Sequence, residues 1–100
     1  MPYIKSERRP RFDAIVEVFS HMGMEKVHTP FGYSSLSTVG AGDMVYLFTR
    51  LLVAWLPKEP TFSEYSTALG ILEAAKLELY RRRVAPYENS RLEENGDVYA

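Results

Sequence analysis

Two groups of arginines are the residues whose type and spacing come closest to a definite chemistry. One group precedes the first predicted helix and the other lies near the end of the chain: Arg8, Arg9 and Arg11, then Arg81, Arg82 and Arg83. A guanidinium group holds phosphate through paired hydrogen bonds, so either group could bind nucleic acid or phosphate. If both groups shared one face, they would form a basic binding surface.

The later arginines also have a purely structural interpretation. Ala85 precedes Pro86, which disfavours the helical conformation at Ala85 and predicts that a long helix ends or kinks near Val84. The arginines would then occupy its last turn, where positive charge favours the negative end of the helix dipole. Residues 76–97 carry five basic and five acidic side chains, which cancel. That balance favours the structural interpretation.

Metal and catalytic chemistry have weaker support. His21, Glu25 and His28 do not follow a recognised ligand spacing. Glu73 and Glu78 are five residues apart, about 140° around a helix, whereas a magnesium-dependent nucleotide hydrolase needs its carboxylates on one face. The sequence therefore predicts no catalytic residue, no metal ligand and no cofactor, and a hydrolase is the least favoured of three functions.

The amino-acid composition and charge argue against several classes of protein. The chain has 100 residues, with 12 basic and 13 acidic side chains and no cysteine. A net charge of −1 is unusual for a dedicated DNA-binding domain, which carries a basic excess. The charged start does not resemble a signal peptide, and the longest apolar run, 44–56, is too short to span a bilayer. We expect one cytoplasmic domain over residues 1–100, without a membrane partner.

Hydrophobic periodicity predicts an all-α domain: a small bundle of three main helices plus a short C-terminal helix. The predicted helices cover residues 12–22, 43–56, 62–83 and 86–95. Thr61 and Glu64 match a capping box at the start of the third. Residues 23–42 have no sustained period and predict a long loop, with a strand pair at 26–29 and 34–38 as the alternative.

The second predicted helix is apolar nearly all round and should be buried on several sides. A chain of 100 residues offers little protein to cover it, so the pattern predicts a homodimer. The candidate interface residues are Val45, Phe48, Leu52 and Trp55.

Three stretches resemble a known family: MPYI at the start, YLFTRLL in the second helix, and ILEAAKLELYRRRVAPYE with ENGDVY at the end. It is a small uncharacterised family of all-helical proteins, filed as a domain of unknown function and found in bacteriophages and bacteria. The resemblance covers about the first dozen residues and residues 43–99. Residues 23–42 are longer than the family pattern, and Val45-Tyr46 stands where Asn-Tyr is common.

The resemblance implies phage or prophage origin and a helical fold, and it supplies no activity. Together with the residue patterns, it predicts a non-enzymatic interaction or assembly protein acting as a homodimer in a bacterial or phage-infected cell. The alternative is nucleic-acid or phosphate binding through the two arginine groups. An unidentified protein partner is also possible.

Overall fold

The computed structural model describes residues 2–22, 24–29, 32–37 and 39–99, and it describes only the backbone of 24–29 and 32–37. These residues group into two compact units. One contains Ile4–Pro57, and the other joins Met1–Tyr3 to Lys58–Ala100. That the whole chain folds as one domain stays a prediction.

The first unit begins with a 3₁₀ turn at Ser6–Arg8, followed by helix α1 at Pro10–Ser20. Pro10 is the first residue of α1, where its fixed φ suits the helix and its missing N–H has no intrahelical partner to lose. The first hydrogen bonds of α1 come from the Phe12 and Asp13 amides, which donate to the Arg9 carbonyl at 2.9 and 2.8 Å.

A β-hairpin follows α1. Strand β1 is Met24–Thr29 and strand β2 is Gly32–Ser37, paired antiparallel with Met24 opposite Ser37 and Thr29 opposite Gly32. The predicted long loop at 23–42 is therefore wrong over both strands, and the alternative, a strand pair, is observed with each strand beginning two residues earlier than predicted. Serine and glycine suggested a loop, but cross-strand hydrogen bonds satisfy the backbone here despite that composition.

Helix α2 spans Ala41–Trp55. At its start the Gly40 amide donates to the Asp43 carboxylate at 2.9 Å, which satisfies one amide and places negative charge at the positive helix end. Leu56 is extended, with φ −72° and ψ 146°, as expected for a residue before Pro57. The predicted second helix is thus confirmed to within two residues at each end.

The second unit contains one long helical run over residues 62–95. Helix α3, Phe62–Leu79, starts with the predicted capping box: the Thr61 hydroxyl accepts from the Glu64 amide at 3.3 Å, and the Thr61 amide donates to the Glu64 carboxylate at 3.1 Å. Ala68 is the one buried apolar residue among those the structure describes.

The long helix does not end near Val84, so that half of the prediction is wrong, while the kink stays a prediction; the regular α-helix is interrupted there instead. A π-helical segment, Tyr80–Val84, connects α3 directly to helix α4, Ala85–Asn95. Ala85 is helical, with φ −61° and ψ −46°, and its amide bonds to the Tyr80 carbonyl five residues back. The wider turn accommodates a proline that has no N–H to donate and whose ring would crowd the preceding turn of an α-helix.

This continuity also corrects the position of the later arginines. Arg81, Arg82 and Arg83 lie inside the run, in the π-helical segment, and not at its C-terminal end. The run ends at Gly96, whose φ of +89° is readily available only to glycine. The predicted helical fold class is confirmed, with three main helices and a short fourth one, and the hairpin is added to it.

Candidate functional site

The four predicted interface residues lie along one side of α2. Val45, Phe48, Leu52 and Trp55 follow a 3-4-3 spacing, the a/d spacing with which paired helices interlock. At 100° per residue they fall within an arc of about 80°. We call these four residues the α2 seam.

The α2 seam is accessible. Val45 is 65% exposed, Phe48 47% and Trp55 55%, whereas Leu52 is half-buried. Leu51, at the edge of the seam, is also exposed and was not among the predicted residues, although its i+3 spacing from Phe48 was a readable signal. An exposed apolar stripe of this kind is unfavourable in water and is typical of an interaction surface.

Charge lies away from the α2 seam. Asp43 and Arg50 are seven residues apart and therefore occupy the same side of the helix, roughly opposite the seam. Asp43 accepts the hydrogen bond of the Gly40 amide, and the Arg50 guanidinium lies 6.0 Å from the ring centre of Tyr46. The seam therefore consists of apolar side chains flanked by no ion pair of its own helix.

The first arginine group is partly engaged within its own unit. Arg9 donates from Nε to the carbonyl of Ile4 at 3.0 Å, which braces the chain across the 3₁₀ turn. The Arg11 guanidinium lies 5.5 Å from the ring centre of Phe12. Arg8 is exposed. Two of the three side chains thus have contacts that an anion would have to share.

In the second group, Arg81 is the engaged residue. Its Nη2 donates to both carboxylate oxygens of Glu78, at 3.1 and 3.2 Å, and to the Tyr3 hydroxyl at 3.2 Å. The Tyr3 hydroxyl in turn donates to Glu78 Oε1. Arg82 and Arg83 are exposed and make no ion pair with any residue that the structure describes.

The Tyr3, Glu78 and Arg81 contacts have an electrostatic consequence. The hydrogen bond from Tyr3, followed by the hydrogen bond and charge of Arg81, lowers the pKa of the Glu78 carboxyl below its usual 4.5. The same carboxylate raises the pKa of Arg81. Tyr3 was not predicted as a partner, because no periodicity relates residues 75 positions apart.

The carboxylates that suggested a hydrolase do not converge. Glu73 pairs with Lys76 at 3.4 Å, one turn before Glu78 pairs with Arg81. Within the described part of the chain, no three His, Cys, Asp or Glu side chains are grouped so as to hold a metal ion. His21 is exposed at the end of α1, whereas the side chains of Glu25 and His28 lie outside the description.

A shallow groove of about 350 Å³ lies between the last turns of α4 and residues 96–99. Arg91, Leu92, Asn95 and Tyr99 are among its lining residues, and all four are exposed. Without a buried polar group to orient a small molecule, the groove has no specific ligand chemistry. Among the described helices, none combines the length and apolar character needed to cross a membrane.

Comparison with known proteins gives one match. A family model described as "Domain of unknown function (DUF6899)" matches residues 1–98. No curated protein matches the chain, and no solved structure matches it. The match covers both units and therefore includes the α2 seam and both arginine groups.

Proposed function

Since the chain belongs to the DUF6899 family, a family defined by a domain of unknown function, we propose that it is a non-enzymatic interaction module that forms a homodimer through the α2 seam. The observation that carries this proposal is the exposure of Val45, Phe48 and Trp55 at a/d spacing on a helix with few charges. Pairing two seams removes these side chains from water and requires no other partner.

The energetics favour a modest dimer. Burying the exposed part of a Val, Phe or Trp side chain contributes about 1–2 kcal/mol. Eight seam side chains from two copies therefore contribute roughly 8–16 kcal/mol, against an association cost of about 4–15 kcal/mol. A dissociation constant of one micromolar requires a net gain of about 8 kcal/mol, which a low association cost allows, and we expect an affinity of that order.

A second copy is the best-matched occupant of the α2 seam. A two-fold axis places the same surface on both sides of an interface, and an uncharged a/d stripe is complementary to itself. A charged peptide would gain nothing from the seam, because Asp43 and Arg50 lie on the other side of the helix. Dimerisation also covers the one tryptophan of the chain, a residue type enriched at the centres of interfaces.

The biological setting is inferred from the sequence resemblance. Its motifs are those of proteins from bacteriophages and bacteria, so we place this chain among phage or prophage proteins, in the cytoplasm of a bacterial or infected cell. Assembly or scaffolding is the role that a small self-associating module fits best. A further protein could bind the dimer through surfaces outside the α2 seam.

The mass in solution tests the proposal. Light scattering on a sizing column, over a concentration range around ten micromolar, should give a mass approaching twice 11.5 kDa as concentration rises. A mass of 11.5 kDa at every concentration would contradict the proposal.

Nucleic-acid or phosphate binding is the second candidate function. It is favoured by Arg82 and Arg83, whose guanidiniums are exposed and have no ion-pair partner in the described part of the chain. Absorbance at 260 and 280 nm in the same run separates the two candidates. A raised 260 nm signal that disappears in high salt would support binding, because each phosphate contact releases counterions. An Arg82→Gln/Arg83→Gln variant should then lose that signal.

A further inference from the structure

One contact in the second unit joins residues far apart in sequence. Tyr3 donates its hydroxyl hydrogen to Glu78 and accepts a hydrogen bond from Arg81, while Arg81 also pairs with Glu78. We call these three residues the Tyr3 clasp. Glu78 belongs to the last turn of α3, and Arg81 belongs to the π-helical segment.

A second Tyr-Arg-Glu set in the same helical run provides a reference. In α4, Arg91 donates from Nε to the Tyr87 hydroxyl at 3.1 Å and from Nη1 to Glu94 at 3.0 Å. These residues are three and four positions apart, so any helix would bring them together. The Tyr3 clasp, by contrast, forms only when the segment around Tyr3 lies against the long helix.

Solvent exposure distinguishes the two sets. The Glu78 side chain is 23% exposed, whereas Glu94 is 65% exposed and Glu73, paired with Lys76, is 58% exposed. Tyr3 is a long-range partner of Glu78, and the other two carboxylates have none among the residues that the structure describes. The Glu78 carboxylate is therefore less exposed than the other two and has an additional hydrogen-bond donor in Tyr3, which favours its ionised form, while Arg81 itself stays largely exposed.

We propose that the Tyr3 clasp is an acid-opened strap that fastens Tyr3 to the long helix, at the start of its π-helical segment. The groups facing Glu78 are the Tyr3 hydroxyl and the guanidiniums of Arg81 and Arg82. At neutral pH, the ionised carboxylate accepts from Tyr3 and pairs with Arg81. Protonation removes the ion pair and leaves a weaker neutral acceptor, so the strap releases.

Limited trypsin digestion tests the closed state near neutral pH. To cleave after the exposed Lys5, trypsin must hold the residues that precede it, including Tyr3, in an extended conformation, and a fastened Tyr3 opposes that. We expect Tyr3→Phe to accelerate this cleavage about threefold, as fits a hydrogen-bonded pair near the surface. Tyr87→Phe, which removes the hydroxyl of the reference set, should leave the rate unchanged. Equal rates in the two variants would overturn the proposal.

Release of the Tyr3 clasp in acid is tested by a separate measurement, an NMR titration. In protein labelled with ¹³C-tyrosine, the Tyr3 ring signals are those missing from Tyr3→Phe. As the pH falls, these signals should shift with a midpoint below pH 4.5, the usual pKa of a glutamate carboxyl. Glu78→Gln should abolish that transition, whereas Glu94→Gln should preserve it. Tyr3 signals that titrate identically in wild type and Glu78→Gln would overturn the switch. The proteolysis result stands independently of it.

Discussion

Helix α2 and the long helical run over residues 62–95 differ in how many charged residues and ion pairs they carry. Within α2, Asp43 and Arg50 are the only charged residues among 15, and apolar side chains are exposed on more than one side. The long run carries 11 charged residues among 34, and the three ion pairs that the structure describes all lie within it. The exposed side chains of α2 are largely apolar and need no polar partner. In the long run, many charged side chains pair with neighbours in the same run.

This difference indicates which interactions stabilise each helix. The long run is stabilised by a capping box and i,i+3 ion pairs within it, and by the long-range Tyr3 clasp. Such effects do not depend on protein concentration. The α2 seam can gain stability only by covering apolar surface, and for a seam that faces a second copy the gain depends on concentration. Substitutions in the two helices should therefore produce different kinds of effect.

The largest expected effect is on the α2 seam. Val45→Glu places a carboxylate in the paired seam of both copies and should weaken the dimer at least about 100-fold, or about 3 kcal/mol. Val53→Glu is the matched control, because Val53 is 61% exposed on the same helix but lies outside the a/d positions. Sedimentation equilibrium would compare the two. Similar weakening by both variants would remove the distinction between the seam and the rest of α2.

The next effect concerns the π-helical segment. Pro86→Ala restores an amide donor inside the long run and removes the ring that a regular helix excludes. We expect the chain to become more stable by about 1–3 kcal/mol. Thermal unfolding followed by circular dichroism would measure the change, with Pro57→Ala, outside any helix, as the control. A destabilised Pro86→Ala would show that the wide turn is required for a reason other than the proline.

The capping box of the long run should contribute less. Thr61→Ala removes the acceptor of the Glu64 amide and should reduce the free energy of unfolding by about 1 kcal/mol. Thr67→Ala is a suitable control, since the Thr67 hydroxyl donates only to the Ser63 carbonyl within the helix. Denaturant unfolding gives both values. If the two variants lost equal stability, the start of α3 would not depend on its cap.

The smallest expected effect is the loss of folding stability in acid that depends on Glu78. Because the pKa of Glu78 is lower in the folded chain than the usual 4.5, its contribution to stability is present above about pH 4.5. That contribution disappears as pH falls through the folded-state pKa. Melting curves at pH 7 and about pH 3 should therefore show a smaller acid loss for Glu78→Gln than for Glu73→Gln. An equal loss in both variants would indicate that Glu78 is no better paired in the folded chain than Glu73.

Local patterns predicted much of this molecule. Thr61 and Glu64 were readable as a cap because a capping box needs only four consecutive residues, and Pro57 marked the end of α2 for the same reason. That the α2 seam lies along one side of its helix follows from spacing alone, and its role as an interface stays a prediction. Each of these features depends on neighbours within one or two helical turns.

The missed features depend on other forces. At Ala85 the helix continued through a proline because a π-helical turn made room for it, an option that the general preference of pre-proline residues does not include. In the hairpin, pairing between strands outweighed a loop-like composition. Tyr3 reaches Glu78 across 75 residues, a contact set by the fold as a whole.

Trp55 allows the most direct test of the α2 seam, because it is the only tryptophan in the chain and belongs to the seam. Its fluorescence should be measured while wild-type protein is diluted from about 100 to about 0.1 micromolar, a range that brackets the expected dissociation constant. We predict that dilution shifts the emission to longer wavelength and increases quenching by acrylamide, and that Val45→Glu shows the diluted spectrum at all but the highest concentrations. Emission and quenching that do not change with concentration would contradict dimerisation through the α2 seam.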